Sequence, residues 1–327
     1  MPKFTQISLA ASLNGSTNDS KYWGKKTAAA ISTLPVGNQT FWGVPFDIRD
    51  TGSAENGLLV LNEKSEVVVK VESSGSHLTF AHFCDENASK TVAGQSSDYL
   101  NPVVTAPGEH IADYVIVYEN GTEHRQSIRR RFEINQVQTR MQSGFASRQH
   151  QGISSLPKRG PYPDNAWGRW QTGVMVGDPP ASGRTPASAD KAGRSNPSGS
   201  WTIYALELPD STATVASVRI ESTGAATFAI GGITMFDGVE NPLRHEPLES
   251  VQIESGGKSA DDIDVSIDLG VIARQQDIQN FDSDGWLDSP VRGWGESDDS
   301  PTTVASVDLT ASTDATLTVD GNEIDVR

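Results

Sequence analysis

Alternation of apolar and polar residues at a period of two runs through much of this chain, and no stretch of ten or more residues keeps a helical period. Between 58 and 134 the pattern predicts a succession of strands. LLVLN (58–62) is a short apolar run, and EVVVKVES (66–73) alternates valine with charge. HLTFAHF (77–83) puts Leu78, Phe80 and then His82 on one side, with His77, Thr79, Ala81 and Phe83 on the other. The clearest element is ADYVIVYENGTEHRQSIRRRFEI (112–134), two alternating segments around Asn120-Gly121, a pair that supplies the positive φ angles of a tight hairpin.

TFWGVPFDIRD (40–50) belongs to the same class. Alternation sets Phe41, Gly43, Pro45 and Asp47 against Trp42, Val44, Phe46 and Ile48, so the second set predicts a core face. Pro45 then needs an edge or a bulge, where no ladder donor is missed.

From about 136 to 200 the periodicity gives way to Gly, Pro, Ser, Arg and Asn, and the segment reads as a long irregular insert. Strand patterning returns in SWTIYALELPD (200–210), VASVRIEST (215–223) and TFAIGGITMF (227–236). A polar stretch at 241–262 reads as a linker. Beyond it, residues 263–327 read as a small β extension that ends in a hairpin at Asp320-Gly321. The expected fold is therefore all-β: a jelly-roll or galactose-binding-like sandwich over 1–240, carrying the insert, followed by the linker and the extension.

At 327 residues the chain is long enough for this arrangement, and its 36% apolar content supplies a core. Acids outnumber bases 42 to 26, and only 10 of the bases are Lys, so a phosphate-backbone partner is excluded for want of a basic face. Dense carboxylates with few lysines suit a halophilic setting. No run of about 18 apolar residues spans a membrane. MPKFTQISLAASLNGS does not read as a signal peptide, and both a cytoplasmic chain and a mature secreted chain with an added Met fit it.

A single cysteine, Cys84, excludes an internal disulfide; it reads as a small buried side chain, with His82 the one nearby base on its strand face. G-x-S-x-G, H-E-x-x-H, P-loop and strand-to-helix G-x-G-x-x-G motifs are absent, and the six His are scattered. A glycosidase carboxylate pair carries no sequence signature and stays open as an alternative. DSDGWLD (282–288) groups Asp282, Asp284 and Asp288 about a Gly as candidate Ca²⁺ ligands, against the plainer reading of an acidic turn; it departs from an EF-hand at several positions. DNAWGRW (164–170) places Trp167 and Trp170 around Arg169, a set suited to stacking on a sugar ring and bonding its hydroxyls, or to anchoring the insert on the sandwich. In SIRRRFEI (127–134), alternation puts Arg129 and Arg131 on one side and Arg130 on the other, to pair with carboxylates or to hold an anionic ligand.

LPVGNQTFWGVPFDI, HLTFAHF, ADYVIVYENGTE and IRRRFEI, in that order, resemble the N-terminal sandwich of CehA/McbA-like metallohydrolases, and more loosely the galactose-binding-like modules attached to glycoside hydrolases and sulfatases. WGRWQTGV and the strands at 201–210 and 227–236 continue the resemblance, which covers about 5–240 and extends weakly to DSPVRGWGE. It implies an accessory sandwich. The closely spaced His ligands of the PHP-type catalytic part have no counterpart, so the resemblance carries over no catalytic residue, and it implies a stand-alone protein or the N-terminal piece of a longer one. The functional expectation is a non-catalytic binding or scaffold protein, recognising carbohydrate or docking a protein. The alternatives are a hydrolase, alone or with a partner catalytic domain, and a self-assembling structural protein that forms homo-oligomers. Sugar stacking at the insert predicts that Trp167→Ala with Trp170→Ala lowers retention of a bound glycan roughly tenfold on a high-salt glycan array; unchanged binding of every glycan would contradict it.

Overall fold

The computed structural model describes residues 3–16, 21–49, 57–85, 108–137, 146–149, 199–247, 249–278 and 304–325. Trp167, Arg169, Trp170, Asp282, Asp284 and Asp288 lie outside these residues. The described residues fall into two compact units, one built from those up to 149 together with 199–243, the other from 244 onward.

In chain order the first unit holds β1 (Lys3–Ile7), α1 (Lys25–Ile31), β2 (Gly37–Phe41), β3 (Val44–Ile48), β4 (Leu59–Leu61), β5 (Glu66–Ser73) and β6 (His77–Cys84). There follow β7 (His110–Tyr118), β8 (Glu123–Arg129), β9 (Ser147–Gln149), β10 (Thr202–Glu207), β11 (Val215–Ser222) and β12 (Phe228–Asp237). One sheet has the order β1-β12-β6-β10-β9, with β4 also paired to β12; the other has the order β5-β11-β7-β8. Eight of these strands, β1, β5, β6, β7, β8, β10, β11 and β12, follow the first-eighth-third-sixth and second-seventh-fourth-fifth orders of a jelly roll. The fold is an all-β sandwich, as the strand patterning requires.

Between the sheets lies a core of Leu78, Phe80, Ile230, Ile233, Tyr204 and Leu206 from the first sheet and Val69, Tyr114, Ile116, Ile128, Val218 and Ile220 from the second. The first sheet is also covered on its far face. All eight residues of β6 are buried, as are nine of the ten in β12. The β2–β3 ribbon supplies that cover: Phe46 and Ile48 lie against Gly232, and the Thr234 hydroxyl donates to the Pro45 carbonyl at 2.5 Å. Trp201 and Trp23 pack on Phe83 from the same side, with ring centroids 5.4 and 5.5 Å away. Two-sided burial explains why these strands read as near-continuous apolar runs.

The hairpins follow from turn chemistry. Asp320 and Gly321, at φ 47° and 80°, form the expected two-residue turn. Between β7 and β8 only Gly121 has positive φ (83°), while Asn120 Oδ1 accepts from the Thr122 N–H at 2.9 Å, which gives a wider turn than a two-residue one. TFWGVPFDIRD differs from its reading as one alternating strand. Trp42 and Gly43, at φ 56° and 83°, reverse the chain between Phe41 and Val44, which are paired and both buried. Trp42 tolerates the left-handed conformation while Arg148 sits over its ring at 4.5 Å. Pro45 lies in a two-stranded ribbon, where β3 pairs with β2 alone among the described strands.

The second unit contains β13 (Glu249–Glu254), a 3-10 turn at Ala260–Asp262, β14 (Val265–Ile267), β15 (Gly270–Asp277), β16 (Val304–Ala311), β17 (Thr316–Val319) and β18 (Asn322–Asp325). They form two three-stranded sheets, β13-β16-β15 and β14-β17-β18. The stretch 241–262, expected as linker, thus carries a strand. ESVQIE alternates Val251 and Ile253 with polar residues, too few apolar positions to stand out, and it pairs with β16 from Glu249↔Leu309 to Glu254↔Val304. In the middle of that sheet the nearly buried Asp308 is held by the Arg274 guanidinium at 2.8 Å and by the Ser250 hydroxyl.

Gly231 tests the cover directly, because a Cβ there would lie 2.3 Å from the fully buried Trp201 ring, whose indole N–H donates to the Pro35 carbonyl at 3.1 Å. Gly231→Ala is expected to lower unfolding free energy by about 2 kcal/mol, as overpacking does, measured by urea denaturation followed through tryptophan emission. A variant as stable as the parent would contradict the close approach.

Candidate functional site

The residue pairs Thr202↔His82, His110↔Arg129 and Phe228↔Cys84 bring the end of β6, the start of β7, the end of β8 and the starts of β10 and β12 to one end of the sandwich. The segment following β8 closes over this end. Its ladder includes Arg130 N–H to the Glu109 carbonyl at 2.9 Å, Cys84 N–H to the Asn135 carbonyl at 2.9 Å and Val137 N–H to the Cys84 carbonyl at 3.2 Å. Polar side chains that the strands would otherwise keep outside converge here.

His82 is fully buried. Its Nε2 lies 2.9 Å from the Glu133 backbone carbonyl, which can only accept, so Nε2 carries the proton and Nδ1 accepts from the Tyr114 hydroxyl at 2.8 Å. Tyr204 stacks nearly parallel to the imidazole, 6.4 Å between centroids. Burial in this setting brings the His82 pKa down to about 4, so the ring is neutral and both its nitrogens are occupied. Burial likewise pushes the Cys84 thiol up to about 12, only partly opposed by Arg130, so it stays protonated and a poor nucleophile.

Three successive arginines end β8 in three different environments. Arg129 is about half exposed; its Nη2 and Nε bond the Glu133 carboxylate at 2.7 and 3.2 Å, and its own backbone N–H donates to the same carboxylate at 2.8 Å. The guanidinium lies over the Phe132 ring at 4.5 Å. Arg130, which shares a strand face with the core residue Ile128, is completely buried. Its Nε donates to Glu109 at 3.1 Å, and its Nη1 to the Asp85 carbonyl at 2.6 Å and the Cys84 sulfur at 3.2 Å. Arg131 leaves the strand altogether and adopts φ 68° in the turn, with its N–H on the Ile134 carbonyl at 2.6 Å. Strand alternation does not extend to it, so Arg129 and Arg131 do not form the same-face pair expected from sequence.

Asp85, the first residue past β6, completes the group. Burial raises its pKa to about 6, against the pull of the Arg130 charge. Sequence reasoning picked out Arg129 and missed His82, Tyr114, Glu133, Arg130 and Asp85 as one constellation. One signal was present: Ile128 and Arg130 share a face, and a core position for the first puts the second inside. Among the described residues, no group of three or more His, Cys, Asp or Glu is arranged to hold a metal ion. None of their helices is long and apolar enough to cross a membrane.

No protein-family model matches the chain, and no curated protein matches it.

His82 and Asp85 respond to pH in opposite senses. His82 has a folded pKa near 4, below its ordinary 6.5, so its neutral form supports the fold above pH 6.5 and that support is lost as pH falls from 6.5 to 4. Asp85 has a folded pKa near 6, above its ordinary 3.8, so its ionisation weakens the fold as pH rises from 3.8 to 6. Asp85→Asn is expected to raise stability at pH 7 by about 2 kcal/mol and to steepen the loss on acidification between pH 6 and 4. Urea midpoints against pH measure both effects; a variant whose curve overlays the parent would rule out the strained carboxylate.

Proposed function

We propose that this chain is a non-catalytic binding module that recognises neutral carbohydrate at the loop end of its jelly-roll sandwich. The observation that carries the reading is the Arg129 guanidinium, held over the Phe132 ring at 4.5 Å and bonded to the nearly buried Glu133 while it remains about half exposed. Glu133 occupies Nε and Nη2, which leaves Nη1 without a bond among the described residues. A donor edge fixed in this way over an aromatic ring loses little side-chain freedom on binding, which suits hydroxyl-rich ligands that offer few apolar contacts. The net charge of −16 argues against a polyanionic ligand, and the occupied state of His82 and Cys84 argues against chemistry by that pair. The likeness of the strand motifs to accessory sandwiches of CehA/McbA-like metallohydrolases points the same way.

Arg129→Lys keeps the charge beside Glu133 and loses the guanidinium and its forked donor edge. It is expected to weaken binding of a neutral oligosaccharide, identified on a glycan array, about tenfold, with near-UV circular dichroism unchanged. Two results would sink the proposal: an array blank at both low and high salt, or hydrolysis of chromogenic glycosides or esters that a single carboxylate substitution abolishes.

A further inference from the structure

We infer that Arg130 and Asp85 form a subsite for a single neutral hydroxyl group, set behind the exposed Arg129 at the same end of the sandwich. The inference rests on the carbohydrate reading above and adds to it the residues that fix the ligand's orientation.

Arg130 has no exposed surface, yet only part of its donor set is used. Nε and Nη1 are engaged by Glu109, Cys84 and the Asp85 carbonyl, whereas Nη2 is buried and has no hydrogen-bond partner among the described residues. Asp85 Oδ1 is likewise buried and has no partner among the described residues. Leaving a charged donor and a carboxylate oxygen unsatisfied is costly, and folded proteins seldom tolerate it unless another molecule completes the bonds. The two side chains do not satisfy each other, since Arg130 makes its ion pair with Glu109 at 3.1 Å.

Charge and hydrogen-bond polarity together narrow what fits. An anion would satisfy Nη2 but would face the carboxylates of Glu109 and Asp85. A cation would satisfy Oδ1 but would face the guanidinium. A neutral hydroxyl accepts from Nη2 and donates to Oδ1, meeting both needs with no added charge. Asp85 is only half-buried, and Asp85 and Arg130 each stand one residue past the end of a strand, so the pair lies at the rim of the sandwich and not at its centre. A buried donor and acceptor built to hold a hydroxyl reject an analogue that lacks it far more strongly than an apolar pocket rejects a missing methylene. The subsite would therefore set which sugars bind, and Arg129 would set how strongly.

A sugar hydroxyl and an internal water share this chemistry, and isothermal titration with a panel of neutral hexoses separates them. The parent is expected to bind at least one hexose, Asp85→Ala to weaken it at least tenfold, and Asp85→Asn, which keeps an oxygen acceptor, to weaken it less. The deoxy form of that hexose lacking the bonded hydroxyl should lose at least tenfold on the parent and little on Asp85→Ala. Equal binding by the parent and Asp85→Ala would overturn the subsite and leave the carbohydrate reading standing; no hexose binding at all would overturn both. Competition by inorganic phosphate, or a crystal structure of the hexose complex with only water between Arg130 and Asp85, would overturn the hydroxyl assignment. Asp85→Asn, expected to be more stable than the parent at pH 7, keeps the comparison interpretable if Asp85→Ala folds poorly.

Discussion

Burial of one sheet on both faces governs the first unit. β6 and β12 have the sandwich core beneath them and the β2–β3 ribbon with Trp23 and Trp201 above, so a polar atom left without a bond on either face costs free energy. Thr79 donates its hydroxyl to the Thr234 carbonyl at 2.8 Å, Thr234 donates to Pro45, and His82 spends both nitrogens. Space is limited in the same way. A Cβ at Gly231 would meet the Trp201 ring at 2.3 Å and one at Gly232 would meet Phe46 at 3.1 Å, so a side chain at the first forces the covering layer to shift and one at the second crowds it.

That constraint also decides what could be read from the amino-acid order. Strands whose two faces differ announced themselves: the alternation in EVVVKVES became β5, and the segments around Asn120-Gly121 became β7 and β8. The apolar runs of β6, β10 and β12 were legible as strands too, although nothing in them indicates what covers the second face. Trp42-Gly43 escaped notice because its turn depends on a tryptophan held in a left-handed conformation under Arg148, a tertiary contact with no local signature. β13 escaped because its apolar positions are only two. At the candidate site Arg129 was legible from the run of arginines, whereas Asp85 and Glu109 acquire meaning only once the ends of β6, β7 and β8 are brought together.

Charge is spent very differently on the two sides of the second sheet. On its exposed face Arg125 bonds Asp113 and Glu221 at 2.8 and 2.6 Å, and Arg219 bonds Glu123 and Glu221 at 2.9 and 2.7 Å, a cross-strand lattice open to solvent and to screening by salt. Toward the inside, Arg130 is completely buried between Glu109 and Cys84. Salt weakens the first arrangement and barely reaches the second. Arg129 and Arg130 follow the same pairing, with Glu133 and Glu109, and are set apart by the Phe132 ring beneath the one and the complete burial of the other.

β1 pairs with β12, from Lys3↔Asp237 to Ile7↔Ile233, so the first strand of the sandwich is joined to its last. A ribosome that adds about 5–20 residues per second holds these two segments apart for roughly 10 to 50 seconds. In that interval β6 has neither β10 nor β12 beside it, and its eight apolar or core-bound residues have no sheet to enter. Acquisition of this fold is therefore a late event in the life of the nascent chain, and the solubility conferred by its many carboxylates matters most before there is a folded surface to display them.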